Sequence, residues 1–131
     1  MTHTQKAEQY ISDKFHCSQA VLAAFADELG ITEEQALKQG IEYKVARYNF
    51  ASSGKAAASG DRDGFIKLIF DSERRLRGAH IIGANVVEML GEPSVAMALG
   101  ATAEEIASTI HAHPSLYEGI YEAAKSLENE R

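Results

Sequence analysis

The sequence predicts an α+β domain: a small antiparallel sheet with helices packed on it, preceded by an N-terminal helical segment over residues 1–30. Three observations predict it. Apolar residues recur at helical spacing up to about residue 40, and the pattern from Tyr43 to Gly83 turns β-like. Two threonine capping boxes, at Thr32 and Thr102, then mark helix starts on either side of that stretch.

In the N-terminal segment, Ala7, Tyr10 and Ile11 are followed by Val21, Leu22, Phe25 and Leu29 at helical spacing. Phe15-His16-Cys17-Ser18 separates two helices there, and Gly30 suits the residue just past a helix end. Thr32-Glu33-Glu34-Gln35 opens a short helix that stops at Gly40. Tyr43 to Phe50 alternates roughly and contains aromatic and branched residues, as a strand does. Ala51 to Asp63 is small, polar and glycine-containing, which predicts a loop with a helical turn at Lys55 to Ala58. Gly64 to Phe70 and Leu76 to Gly83 form two further strands, joined by the polar hairpin loop Asp71 to Arg75. Arg74, Arg75 and Arg77 decorate that turn.

Three helices are expected to follow. Asn85 with Glu88 caps one running to Gly100, with Pro93 kinking or breaking its middle. Thr102-Ala103-Glu104-Glu105 opens a second, through Ile106 and Ile110. Pro114 takes the first position of the third, so His113 becomes its N-cap and the helix runs from Ser115 to about Leu127.

With 131 residues the chain is long enough for one domain that buries roughly two thirds of its unfolded surface. A net charge of −6 with no basic stripe argues against nucleic acid as a partner. The single cysteine, Cys17, excludes an intrachain disulfide framework and fits a reducing cytoplasm, the expected location. No apolar run reaches membrane-spanning length, and Met1 to Gln5 lacks the features of a signal peptide.

The segment Ile110-His111-Ala112-His113-Pro114-Ser115-Leu116-Tyr117-Glu118 carries the candidate chemistry. It places two histidines at a helix start and a carboxylate one turn inside, a pairing that can hold an imidazole in one tautomer and raise its basicity. A plainer reading stands beside that one: an N-cap histidine ahead of proline, with glutamate in the first turns, is good helix chemistry by itself.

From about Thr32 onward, five segments occur in a familiar order: Thr32–Ala36, Gly40–Val45, Gly64–Leu68, Gly78–Gly83 and His111–Leu116. Together they resemble the C-terminal interface domain of dihydrolipoamide dehydrogenases, within the flavin-dependent disulfide reductases. The resemblance covers about three quarters of the chain, which divides the sequence into a helical segment (1–30) and an interface domain (31–131). It implies a homodimer whose His-Pro segment reaches the flavin and redox-active disulfide of the partner subunit. By position, the resemblance implies that His113 would be the general acid/base for a dithiol substrate, Glu118 would orient and charge it, and Pro114 would pin the backbone at the imidazole. His113 and Pro114 would meet FAD only if a partner supplies it.

The chain has no G-x-G-x-x-G fingerprint and no paired active-site cysteines, so no cofactor is expected on this chain alone. FAD would come through a partner, and no metal ligand set is expected.

Cys17-Ser18-Gln19-Ala20-Val21 resembles the start of a family of small Cys-rich bacterial redox proteins, of whose cysteines only Cys17 is present. His16 and Cys17 are adjacent on a helix and point about 100° apart, poor geometry for one site. A half-buried thiol is the simpler reading. His3, His80 and His111 read as tail, strand surface and helix end.

Three functional readings follow. The first and favoured one is a stand-alone dimerisation module without its own FAD or NAD domain, probed by adding FAD and watching for binding. The second is a component that completes the site of a separate flavoprotein through His113 and Glu118, visible in a flavin spectrum on mixing. The third is a small thiol redox protein using Cys17, tested by thiol reactivity.

Overall fold

A computed structural model describes Gln5 and residues 30–130. The expected N-terminal helices, with His3, His16 and Cys17, fall outside the described residues.

The sequence patterns become a three-stranded antiparallel sheet with helices around it, in agreement with the expected α+β class. Helix α1 (Glu33–Lys38) starts at Thr32, whose side chain accepts the Gln35 N–H while the Gln35 side chain accepts the Thr32 N–H. Strand β1 (Tyr43–Asn49) leads into a 3₁₀ turn at Phe50–Ser52 and the short helix α2 (Gly54–Ser59), which Ser53 caps. Strands β2 (Gly64–Asp71) and β3 (Leu76–Gly83) form the hairpin. The sheet order is β1-β2-β3, with Ala46 opposite Leu68 and Leu68 opposite Ala79.

Strand β2 is central and its side chains are buried on both faces. Ile66, Leu68 and Phe70 enter the main core with Ile120, Ala123, Ala124 and Leu127 from the C-terminal helix, while Ile69 is buried on the opposite face. Glu33 ties α1 to the sheet by bridging Lys67 at 2.8 Å and Arg47 at 3.4 Å. Lys67 holds the Glu33 carboxyl below its ordinary range.

The outer edge of β3 is met by other backbone. Ile31 N–H donates to Arg77 O (2.9 Å) and Gly30 pairs with Gly78, so close that a Cβ on Gly78 would lie 2.2 Å from Ile31 O. Nearer the start of β3, Leu76 N–H donates to Ala101 O and Ala103 N–H donates to Arg74 O. Both contacts satisfy an edge that would otherwise be open.

Beyond β3 the structure departs from the expected elements in three places. The helix expected from Asn85 does break, as Pro93 suggested, but at Leu90 ahead of the proline, which leaves α3 (Val86–Met89) and α4 (Gly91–Leu99). Asn85 takes a left-handed conformation (φ 58°) and makes no side-chain cap bond. Pro93 then falls in the first turn of α4, where a missing N–H has no intrahelical carbonyl to lose.

Helix α5 (Ala103–Ser108) has the expected Thr102 capping box but ends before Ile110, which is 97% exposed. The hydroxyls of Ser108 and Thr109 both donate to Glu105 O (3.0 and 2.7 Å), and Thr109 turns extended. Such local side-chain bonds compete with continued helix.

The last helix, α6 (Glu118–Ser126), starts three residues later than Ser115, followed by a 3₁₀ turn at Leu127–Glu130. His113 is therefore not its N-cap and Pro114 is not its first residue; the His113–Pro114 peptide is cis and Tyr117 precedes the helix. Glu118 is the first helical residue rather than one turn inside. Its carboxylate takes up the Ser115 N–H (2.9 Å), so residues 113–117 close as a turn of their own.

Candidate functional site

The segment between α5 and α6 brings together His113, Pro114 and Glu118, as the sequence suggests, although without the expected helix. His113 Nδ1 lies 2.7 Å from Glu118 Oε1, and Glu118 Oε2 accepts the Ser115 N–H at 2.9 Å. Ser115 Oγ in turn donates to Ala112 O (2.6 Å). The Ser115 amide, with His113 next in weight, holds the Glu118 carboxyl below its ordinary range.

An ionised Glu118 can only accept. The imidazole proton therefore sits on Nδ1, which leaves Nε2 as the free lone pair. The His113 side chain is 81% exposed, so that lone pair faces outward from the chain. Chemically this is an oriented acid–base group.

Sequence reasoning missed the role of His111. Expected at a helix end, it instead lies in the turn segment with a side chain 7% exposed. Its Nδ1 is 2.9 Å from Thr109 O and its Nε2 is 2.5 Å from Glu92 Oε1 on α4. Tyr117 makes a second cross-link, its hydroxyl donating to Glu88 O (2.7 Å) beside the break between α3 and α4. Nothing in local spacing pairs residues 92 and 111; only the folded topology does.

His80 also departs from its expected place on the strand surface. It is half-buried, with Nε2 3.2 Å from Ile31 O, and burial pushes its imidazole below the ordinary value. The three arginines do decorate the hairpin. Arg74 pairs with Glu104, Arg75 with Glu73 (3.2 Å) and Gly100 O (2.5 Å), and Arg77 with Asp71 (3.2 Å).

Among the described residues no group of three or more His, Cys, Asp or Glu could hold a metal ion. No helix among them is long and apolar enough to cross a membrane. A groove of about 300 Å³ runs between α4 and α5, lined by Val95, Ile106 and Ile110 among others. Val95 (60% exposed) and Leu99 (79%) form an apolar stripe four residues apart on α4, and Ile110 lies across that groove.

Residues 26–124 match the family described as pyridine nucleotide-disulphide oxidoreductase, dimerisation domain. The chain is 48% identical over 101 residues to the dihydrolipoyl dehydrogenase of Vibrio parahaemolyticus, a match covering 76% of this chain and 21% of that protein. With the dihydrolipoyl dehydrogenase of Chlorobaculum parvum it shares 46% over 97 residues, covering 73% of this chain and 21% of that protein. Among solved structures it is similar to the HOCl-induced flavoprotein disulfide reductase RclA from Escherichia coli, with a TM-score of 0.70 and 28% identity. That likeness covers 73% of this chain and 22% of the reductase. The chain thus spans about a fifth of the length of the curated relatives it matches.

Proposed function

Because this chain belongs to the pyridine nucleotide-disulphide oxidoreductase family through its dimerisation domain, we propose that two copies pair through α4, and that each pair presents His113 as an acid–base group for a flavoprotein disulfide site. The observation that carries the pairing is the exposed apolar stripe of Val95 and Leu99, with Ile110 across the groove. Apolar side chains left in water on adjacent surfaces are what a second copy covers, and a two-fold axis lets one patch meet itself. The single cysteine favours a reducing compartment such as the cytoplasm for this assembly.

The observation that carries the acid–base role is the exposed Nε2 of His113, with Nδ1 fixed by Glu118. The thiolate is the reactive form of a thiol, so dithiol chemistry needs a group to take the thiol proton. His113 would accept that proton at Nε2, and Glu118 would stabilise the imidazolium that forms.

FAD does not fit the described residues by themselves. Among the described residues the sheet is antiparallel, so no parallel strand–turn–helix unit exists to cradle a pyrophosphate. The fit is to a partner's flavin: the outward His113 and the adjoining Pro114 can form one wall of a site whose other walls lie on another polypeptide. Flavin bound there would act as the electron acceptor for the dithiol, and this chain would supply only proton transfer and positioning.

Two measurements test the proposal. Sedimentation velocity should show a dimer that Leu99→Asp converts to monomer; a monomeric unsubstituted chain would overturn the pairing. Mixing the chain with a flavoprotein disulfide reductase whose own interface-domain histidine is replaced should restore turnover, and His113→Gln should not. Equal rescue by both chains would remove His113 from the chemistry.

A further inference from the structure

His111 faces two acceptors. A backbone carbonyl, Thr109 O, lies 2.9 Å from Nδ1, and a carboxylate oxygen of Glu92 lies 2.5 Å from Nε2. A neutral imidazole has one N–H, so with an ionised Glu92 one of these short contacts would set lone pair against lone pair. The cluster closes only if it holds one further proton. With that proton on the ring, both nitrogens donate and both contacts are hydrogen bonds.

The surroundings are compatible with a cation there. Glu105 of α5 shares the groove wall with Glu92 and His111. The Tyr121 ring of α6 lies 5.9 Å away, its hydroxyl taken by Lys125 at 2.9 Å. In the segment itself, His113 is engaged with Glu118 and the Tyr117 hydroxyl donates to Glu88 O.

The position of this cluster gives it a consequence. The segment from Thr109 to Tyr117 has no regular secondary structure, and two side-chain cross-links hold it to the broken helix pair. One is His111 to Glu92 on α4 and the other is Tyr117 to Glu88 at the end of α3. His113 lies between them.

We propose that Glu92 is a positioning residue for His113: it holds His111 as an imidazolium, and that ion pair fixes the segment from which His113 projects. The tether is complete only while His111 carries both protons. Loss of either proton would remove one of its two hydrogen bonds, two residues before His113. This deepens the acid–base reading of His113 and rests on it, but its test needs neither flavin nor partner, so the two can fail separately.

The experiment is long-range proton–nitrogen correlation of the histidine rings in the ¹⁵N-labelled full chain, with Glu92→Gln and His111→Gln as variants. Glutamine at 92 keeps the shape and can donate to a neutral ring, so it removes the charge without emptying the site. Near neutral pH, His111 should show two protonated ring nitrogens, and Glu92→Gln should abolish one of them. The same substitution should shift the His113 ring signals, leaving backbone amides of the sheet in place. His111→Gln should reproduce that change at His113.

A single protonated nitrogen on His111 in the unsubstituted chain would overturn the proposal. So would His113 signals that neither variant moves, since packing alone would then hold the segment.

Discussion

The β2–β3 hairpin and the segment joining α5 to α6 have opposite constructions. In the hairpin, antiparallel pairing runs from Gly64 opposite Gly83 to Phe70 opposite Leu76, with one register shift between Ile69 and Phe70. Ile66, Leu68, Ile69 and Phe70 are fully buried there. In the segment, backbone pairing is sparse, His113 is largely exposed, and shape depends on a few side-chain bonds: Glu118 to Ser115, His111 to Glu92, and Tyr117 to Glu88. The comparison separates where stability resides from where chemistry can occur. Changes in the hairpin should unfold the domain, whereas changes in the segment should misplace one imidazole in a domain that stays folded.

The largest effect should come from the hairpin. Phe70→Ala opens a cavity in the main core and should cost about 3–5 kcal/mol, read as a lower urea midpoint at unchanged slope. A loss under about 1 kcal/mol would mean that the site collapses freely around the missing ring.

Next comes the contact that seats α6 on the sheet. A Cβ on Gly119 would lie 2.7 Å from Ile66 Cδ1 and 2.8 Å from Tyr48 Cδ1. Overpacking of this kind costs about 1–3 kcal/mol, so Gly119→Ala should lower the thermal midpoint by several degrees. Thr102→Ala removes the cap of α5 and should cost about 1 kcal/mol in the same assay.

Smaller still is the titration of His80. Burial lowers its pKa in the fold, so the unfolded chain takes up a proton at higher pH than the folded one does. The neutral ring's contribution to stability is fully present above the unfolded value of about 6.5 and is lost as pH falls from there through the lowered folded value. Urea midpoints at neutral and mildly acidic pH should differ less in His80→Gln than in the unsubstituted chain.

Smallest in stability, though not in consequence, is Glu118→Gln. The domain should unfold at nearly the same temperature, while the Ser115 amide exchanges faster and His113 loses its preferred tautomer in ring-nitrogen spectra. A large loss of stability would place the segment with the hairpin and dissolve the contrast.

The same contrast explains what the sequence revealed. Thr32 and Thr102 were legible because a cap bond joins residues three apart, and the strands were legible because alternation and a polar turn are local signals. His113 and Glu118 were legible as a pair for the same reason, five residues apart in one segment.

Where the reading strayed, local rules had met bonds they could not foresee. Asn85 looked like a cap but turned left-handed as the helix broke into two. Pro114 looked like the first residue of a helix, yet the Glu118 carboxylate captured the Ser115 amide and delayed the start. His111 looked like a helix end because its partner, Glu92, lies nineteen residues away across a turn and a helix.

The most direct test of the central claim is native mass spectrometry of the full chain, with and without added FAD. The account predicts a dimer that carries no flavin and does not change when FAD is added. A monomer at every concentration, or a stoichiometric FAD adduct on the chain alone, would contradict it.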